Sequence, residues 1–189
     1  MPSRTELFWN KPYNAGRDFT LISSQDITSF LRYTSSQAPK TCLDIGCGTG
    51  QLSRELYHRG YTVTGIDVSS SAIRIAQSLS AVSDTLLHYM VVDIEKENMD
   101  LFDEDYGLIT CKLVYAFMQN KEQFLKKMKQ LLTSHGSLVV ITPLIEDVPT
   151  KKQAIAITPE ETRLLITVFP NNIQYKANGL LYFIGRLRS

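Results

Sequence analysis

Short apolar runs alternate with amphipathic stretches along most of this 189-residue chain, and the alternation predicts strands and helices in turn. Apolar runs of strand length predict five strands, at about residues 40–45, 61–66, 87–92, 106–111 and 137–142. Stretches with one apolar face predict helices at about residues 24–35, 51–59, 69–79 and 121–134. Strands that alternate with helices form a parallel sheet covered on both faces. The pattern therefore predicts an α/β fold, a three-layer αβα sandwich around a mostly parallel sheet.

The end of the chain departs from this alternation. A polar stretch at residues 144–157 predicts a loop, and Thr158-Pro159-Glu160-Glu161 predicts the capped first turn of a helix. Asn178-Gly179 then separates two apolar runs, and this dipeptide is the strongest two-residue signal for a β-hairpin. We therefore expect a seven-stranded sheet whose last two strands, at residues 173–177 and 180–187, form an antiparallel C-terminal hairpin.

The first 38 residues differ in character from the rest. Residues 1–20 lack a regular pattern and are expected to be irregular, although they carry Phe8, Trp9, Tyr13 and Phe19. Such an aromatic arm either packs on the domain or serves as a lid over a bound ligand. Ser24 is a plausible N-cap for the helix that follows. With no interior domain boundary, residues 1–189 are predicted to form one domain, with an N-terminal arm and helix at 1–38 and a core at 40–189.

The stretch from Thr41 to Leu52 predicts a buried strand, a glycine-rich turn and a helix start, which together form a nucleotide-type pocket. Its glycines follow the pattern G-x-G-x-G, and Gln51 stands where a dinucleotide fingerprint has its third glycine. No lysine follows Gly50, so a phosphate P-loop is excluded. Asp44, two residues before Gly46, would repel a pyrophosphate but attract a cation.

Two further acidic residues end predicted strands. Asp67 follows Gly46 by 21 residues, a spacing at which a carboxylate accepts hydrogen bonds from ribose hydroxyls. The alternative for Asp67 is a helix N-cap. Asp93 ends the third strand, and Lys112 and Tyr115 follow the fourth.

The ordered set of Asp44 with G-x-G-x-G, Asp67, Asp93 and the F-D-x-x-Y segment at residues 102–106 resembles the motifs of the class I, Rossmann-like S-adenosylmethionine-dependent methyltransferases. The resemblance spans roughly residues 40–187. It implies S-adenosylmethionine as cofactor and S-adenosylhomocysteine as product, and a sulfonium with no phosphate suits the acid beside the glycines. Asp93 would accept from the adenine amino group, with Val68 and Ile94 against the ring. The implied cofactor-binding residues are Asp44, Gly46, Cys47, Gly48, Gly50, Gln51, Asp67, Val68, Asp93, Ile94, Cys111, Trp9 and Tyr13.

The resemblance also implies the reaction, which is in-line displacement of an activated methyl group with no protein nucleophile. Lys112 could orient an anionic acceptor, and Tyr115 could form a pocket wall or take a proton; packing is the alternative for both. The strand-four motifs of nucleobase methyltransferases are missing, so a small-molecule or peptide acceptor is expected. A non-catalytic S-adenosylmethionine-binding subunit or sensor is the alternative. A nicotinamide oxidoreductase is disfavoured by Gln51 and by the terminal hairpin.

Composition limits the partners and the compartment. Twenty basic and 19 acidic residues give a net charge of +1, which provides no general attraction to nucleic acid or membrane. Cys42, Cys47 and Cys111 have neither C-x-x-C spacing nor a histidine cluster, so reduced thiols are expected and a metal is not. The chain shows no signal peptide and no apolar run of membrane-spanning length. We therefore expect a cytoplasmic enzyme, monomeric or homodimeric.

Overall fold

A seven-stranded sheet runs through the centre of the computed structural model, which describes residues 3–80, 85–102 and 105–187. The strands are β1 Thr41–Ile45, β2 Thr62–Asp67, β3 Leu87–Val91, β4 Tyr106–Lys112, β5 Leu132–Thr142, β6 Asn172–Ala177 and β7 Leu180–Arg186. Their spatial order is β3-β2-β1-β4-β5-β7-β6. Strands β1 to β5 are parallel, and β7 lies antiparallel between β5 and β6. The predicted fold is confirmed.

Helices cover both faces of the sheet. They are α1 Arg4–Asn14, α2 Ser24–Leu31, α3 Gln51–Tyr57, α4 Ser70–Leu79, α5 Lys121–Leu131 and α6 Pro159–Val168. Successive side chains of a strand point to opposite faces, so each central strand packs against helices on both sides. On one face, Leu43 and Ile45 of β1 pack in a cluster with side chains of α5 and α6. On the other face, Cys42 packs in a second cluster with side chains of α2 and α3.

The direction in which the sheet grows reverses between β1 and β4. From β1 the chain proceeds to β2 and β3 on one side, and then returns to β4 and β5 on the other. In open α/β sheets, ligands bind at such a switch point, outside the carboxyl ends of the strands. The glycine-rich turn after β1 and Lys112 at the end of β4 both lie there.

The N-terminal arm is helical, and our prediction that residues 1–20 are irregular is wrong for Arg4–Asn14. Ser3 caps this helix by accepting a hydrogen bond from the Glu6 N–H, at 3.1 Å. The sequence pattern did not predict this helix because Pro12 lies inside it and it has no clear apolar stripe. Contacts with α4 hold the helix in place instead. Helix α2 is capped by Ser23 rather than Ser24, because Ser23 has an extended backbone and accepts from the Asp26 N–H at 3.0 Å.

The boundary between α5 and β5 also differs from the prediction. Helix α5 ends at Leu131 and β5 begins at Leu132, so the expected turn at residues 134–136 lies within a long strand. Leu132 pairs with Tyr106, and a register shift between Tyr106 and Leu108 absorbs the extra residues. The predicted cap at Thr158 is confirmed, with a capping box that Glu161 completes.

The loop at residues 144–157 contains short 3₁₀ turns at Ile145–Asp147 and Thr150–Ile155, closed by a bridge between Leu144 and Ile157. Asp103 and Glu104 of the F-D-x-x-Y segment lie outside the described residues. Within the described ranges, no helix combines the length and the apolar character needed to cross a membrane.

Candidate functional site

The turn between β1 and α3 has a backbone that only glycine adopts freely. Gly46, Gly48 and Gly50 all have positive φ angles, of 64°, 55° and 79°. The turn is fixed by two backbone bonds, since the Cys47 N–H donates to the Ile66 carbonyl at 3.0 Å and the Gly50 N–H to the Cys47 carbonyl at 2.9 Å. A Cβ on Gly46 would stand 2.1 Å from a methyl carbon of Val114. The turn therefore lies in direct contact with the segment that follows β4.

Asp67 joins this turn to the start of α4. One carboxylate oxygen accepts from the Gly48 N–H at 2.9 Å, and the other accepts from the Ser69 N–H at 2.8 Å. Burial raises the pKa of the Asp67 carboxyl to about 6, although the two N–H groups favour the charged form. The N-cap of α4 is Ser69, whose hydroxyl accepts from the Ala72 N–H. Asp67 is thus an acceptor held in place by backbone N–H groups, and each oxygen retains a further lone pair.

Asp44 lies beneath the glycine-rich turn, with 1% of its surface exposed. It accepts from the Ser53 hydroxyl at 2.6 Å and from the Thr110 hydroxyl at 2.7 Å. Burial raises the pKa of the Asp44 carboxyl, and these two hydroxyls, followed by the Lys112 charge, partly offset that effect. The Asp44 side chain therefore joins the end of β1 to α3 and to β4 beside the turn.

Helix α1 covers the turn from above. A Cβ on Gly48 would stand 2.8 Å from the hydroxyl oxygen of Tyr13. Burial raises the pKa of that hydroxyl, and the nearby Asp67 and Asp18 charges act in the same direction. One turn earlier in α1, the Trp9 ring packs edge-on against Phe117, with centroids 4.9 Å apart. The two alternatives for the arm are therefore compatible, because α1 packs on the domain and in doing so covers the turn.

An extended segment, residues 18–22, continues from α1 across the switch point, and we call it the strap. Asp18 accepts from the Thr49 hydroxyl at 2.7 Å. The Gln51 amide pairs with the backbone of Ile22, accepting from its N–H at 3.2 Å and donating to its carbonyl at 2.9 Å. Lys112 donates to the carbonyl of Thr20 at 2.6 Å. The strap is therefore attached to the turn, to α3 and to β4.

Three candidates from the sequence lie near the carboxyl end of β4. Burial lowers the pKa of the Lys112 ammonium, while the Asp44 and Asp18 charges oppose the shift. Cys111 is fully buried. Tyr115 is also fully buried, and its hydroxyl donates to the Glu161 carbonyl of α6 at 3.4 Å. Tyr115 is thus directed toward the core and α6, and we assign it to packing.

The remaining candidates lie at other strand ends. Asp93 accepts a hydrogen bond from the Lys96 ammonium and another from the Glu95 N–H at 3.3 Å. Ile94 is buried beside it, and Val68 is half-buried after β2. Cys47 is part of the glycine-rich turn, where burial raises the pKa of its thiol.

Sequence reasoning missed four side chains that organise this region, namely Asn10, Asp18, Thr49 and Ser69. Only Ser69 carried a local signal, as the first of three serines that open a helix. Within the described residues, no group of three or more His, Cys, Asp or Glu side chains is arranged to hold a metal ion. The arrangement combines a glycine-rich turn, a buried carboxylate with free lone pairs and an aromatic cover, and it suits a polar organic ligand with hydroxyl groups.

Comparison with known proteins bears on which ligand that is. A family model described as a methyltransferase domain matches residues 43–140, just over half of the chain. A ubiquinone biosynthesis O-methyltransferase of Hydrogenovibrio crunogenus is 35% identical over 82 residues, which are 43% of this chain and 34% of that protein. A protein of the same name from Glaesserella parasuis is 27% identical over 137 residues, which are 71% of this chain and 58% of that protein. The chain thus spans about a third to three fifths of the length of these curated relatives.

Solved structures share the fold over nearly the whole chain. The plantazolicin methyltransferase BpumL, in complex with SAH, superimposes with a TM-score of 0.69 at 17% identity, covering 98% of this chain and 88% of that one. The PH0226 protein of Pyrococcus horikoshii gives a TM-score of 0.68 at 17% identity, covering 86% of this chain and 87% of that one. At these identities the likeness shows the fold alone.

Proposed function

The chain belongs to the Rossmann-like S-adenosylmethionine-dependent methyltransferases, and from that membership we propose that it transfers a methyl group to a small-molecule or peptide acceptor in the cytoplasm. The predicted family and cofactor are confirmed, and the nicotinamide oxidoreductase is rejected. We further propose that residues 1–189 act as one domain. Family membership does not specify the acceptor, the compartment or the domain limits. We infer these three from the features of this chain.

The residues at the switch point fit this cofactor. Asp67 is a buried carboxylate with free lone pairs, and it would accept from ribose hydroxyls, as predicted from its spacing. Gly48 has no side chain, and the Tyr13 hydroxyl lies so near that a Cβ there would stand 2.8 Å from it, so the cofactor would lie beside this contact. Asp93 and Ile94 would hold the adenine at the end of β3, with Val68 on its other side. The remaining proposed contacts are Gly46, Cys47, Gly50, Trp9 and Tyr13.

Asp44, Gln51 and Cys111 support this site through contacts within the chain. Asp44 fixes the turn through Ser53 and Thr110, and Gln51 fixes the strap through Ile22. Cys111 packs beneath the turn in the core cluster of β1. We therefore propose that these three shape the cofactor site and that Asp44 also adds negative potential below it.

The protein's contribution to the reaction is enclosure and alignment. When bound, S-adenosylmethionine supplies a methyl group that its sulfonium activates for displacement. Helix α1 and the strap would exclude water from the site, and Trp9 and Phe117 would form an apolar wall on its β4 side. Lys112 lies at the end of β4, so its ammonium would orient an anionic acceptor.

The observation that carries this proposal is the position of Asp67, held by the Gly48 and Ser69 N–H groups beneath a closed aromatic cover. The test is incubation of the protein with isotopically labelled S-adenosylmethionine and a cell extract, followed by mass spectrometry of small molecules and peptides. We expect labelled product in one of these two fractions. Because the named relatives are O-methyltransferases, hydroxyl compounds are the first purified acceptors to try.

A non-catalytic cofactor-binding subunit predicts a different result. Such a protein would bind S-adenosylhomocysteine, yet the label would stay on the donor with every acceptor. Label found only in nucleic acid would contradict the proposed acceptor class.

A further inference from the structure

Helix α1 contacts both groups that hold the Asp67 carboxylate. The Gly48 N–H lies under Tyr13, and Ser69, whose N–H binds the other carboxylate oxygen, contacts Asn10. Asn10 and Tyr13 are three residues apart and therefore lie on the same face of the helix. One face of α1 thus covers the two hydrogen-bond donors on either side of Asp67.

Asn10 makes the polar attachment of α1 to the domain. Its carbonyl oxygen accepts from the Ser69 hydroxyl at 2.7 Å and from the Ser71 N–H at 3.1 Å, and its amide donates to the Ser70 hydroxyl at 3.4 Å. The Ser71 N–H belongs to the first turn of α4, where backbone N–H groups lack partners within the helix. Asn10 therefore supplies an acceptor for this N–H of α4. The N–H loses that acceptor whenever α1 moves away.

We propose that Asn10 is a positioning residue that latches α1 over the cofactor site and so sets the rate of cofactor exchange. The inference rests on the proposed cofactor position at Asp67, under α1 and beside the contact of Tyr13 with Gly48. With Tyr13 against Gly48, the cofactor cannot reach or leave Asp67 from this side until α1 undocks.

The latch has a kinetic signature. Every bond of Asn10 joins groups of the protein itself, so these bonds stabilise the covered form equally with and without cofactor. Weakening them raises the fraction of time that α1 is undocked in both cases. Association and dissociation then speed up together, while the equilibrium dissociation constant stays nearly constant. A residue that touches the cofactor behaves otherwise, because its loss changes the affinity itself.

The experiment measures S-adenosylhomocysteine binding by stopped flow, with Trp9, the single tryptophan, as the reporter. Asn10→Ala removes all three of these hydrogen bonds. It is expected to raise both rate constants at least about tenfold, with the dissociation constant changed less than about threefold. Asn10→Asp keeps the acceptor oxygen and should restore rates close to those of the unchanged protein. Asn14→Ala is the matched control, since Asn14 is exposed on α1 and makes no side-chain hydrogen bond within the described residues.

Hydrogen–deuterium exchange without any ligand provides a second readout. Asn10→Ala should speed exchange of the α1 amides at residues 4–14 and leave the amides of β1 and β4 unchanged. This measurement tests the latch even where S-adenosylhomocysteine fails to bind, a failure that would instead contradict the proposed function.

Two results overturn the inference. A dissociation constant that rises in parallel with the dissociation rate in Asn10→Ala would make Asn10 part of the binding surface and not a latch. Rates and exchange in Asn10→Ala that match those in Asn14→Ala would show that α1 is held by its aromatic contacts alone.

Discussion

The hydroxyl oxygen of Tyr13 lies 2.8 Å from the point where a Cβ of Gly48 would stand, so the helix and the turn touch with no room for a side chain between them. Gly48→Val should therefore abolish S-adenosylhomocysteine binding, because the valine displaces Tyr13 and also strains a backbone at φ 55°. The strain alone costs about 1–2 kcal/mol in the free energy of unfolding. Calorimetric titration of the folded variant measures the affinity.

Gly179→Val is the matched control for that change. Gly179 has a φ of 73° and no atom within 4 Å of an added Cβ, so it carries the same kind of backbone strain without the contact. Its variant should lose stability but keep its affinity. Retained binding in a folded Gly48→Val protein would show that the cofactor does not cross the turn.

Cofactor affinity should depend on pH through Asp67. The pKa of this carboxyl is about 6 in the folded protein, and only the ionised form accepts from two ribose hydroxyls at full strength. S-adenosylhomocysteine affinity should thus fall as the pH drops from 7.5 to 5. The free energy of unfolding responds in the opposite sense. Folding raises the pKa of Asp67, so the folded state binds the proton more tightly than the unfolded state does. The contribution of Asp67 to the free energy of unfolding therefore increases as the pH falls through 6 toward 4.

Titration calorimetry between pH 5 and 8 tests that expectation. Asp67→Asn should bind more weakly at pH 7.5 and show a flat profile, whereas Asp93→Asn should lose less affinity, since Asp93 is half-buried and already paired with Lys96. A pH dependence that survives in Asp67→Asn would assign the titration to another group, with Asp44 the first to examine because burial raises its pKa as well.

Lys112 and Gln51 both bind the backbone of the strap. Comparing variants of the two residues therefore separates the effect of holding the strap from a role of Lys112 in methyl transfer. Lys112→Met removes one bond to the strap, and Gln51→Ala removes two. If Lys112 also orients the acceptor, Lys112→Met should lower kcat at least tenfold more than Gln51→Ala does. Steady-state kinetics with the acceptor found by labelling measure both. Equal losses in the two variants would limit Lys112 to holding the strap.

Removal of residues 1–20 should impair methyl transfer more than it impairs folding. These residues supply α1 and part of the strap, while the buried clusters on both faces of the sheet draw their members from Ile22 onward. Activity and the thermal unfolding midpoint of the truncated protein provide the comparison. In the full chain, Trp9 fluorescence should change on saturation with S-adenosylhomocysteine. Unchanged Trp9 fluorescence, together with full activity after truncation, would show that the arm only packs on the domain.

The sheet could be predicted from the sequence because its central strands are buried on both faces and therefore appear as continuous apolar runs. Helix α1 could not, since its stability comes from docking on α4 and its own pattern is interrupted by Pro12. The turn after β1 was predictable from its glycines, but the partners of its side chains were not. Asp44 binds Thr110, 66 positions away, and Gln51 binds Ile22, 29 positions away. Local spacing carries no information about such distant contacts.

The place of β7 in the sheet has a consequence for the order in which the protein is assembled. Strand β5 is buried along residues 136–142, yet its second neighbour is β7, which begins at Leu180. During synthesis, β5 therefore emerges well before the strand that completes its hydrogen bonding. Until then its edge is an open template for pairing with other chains. The Asn178-Gly179 turn pairs β6 with β7 locally, so the strand that covers this edge has its own second neighbour close in sequence.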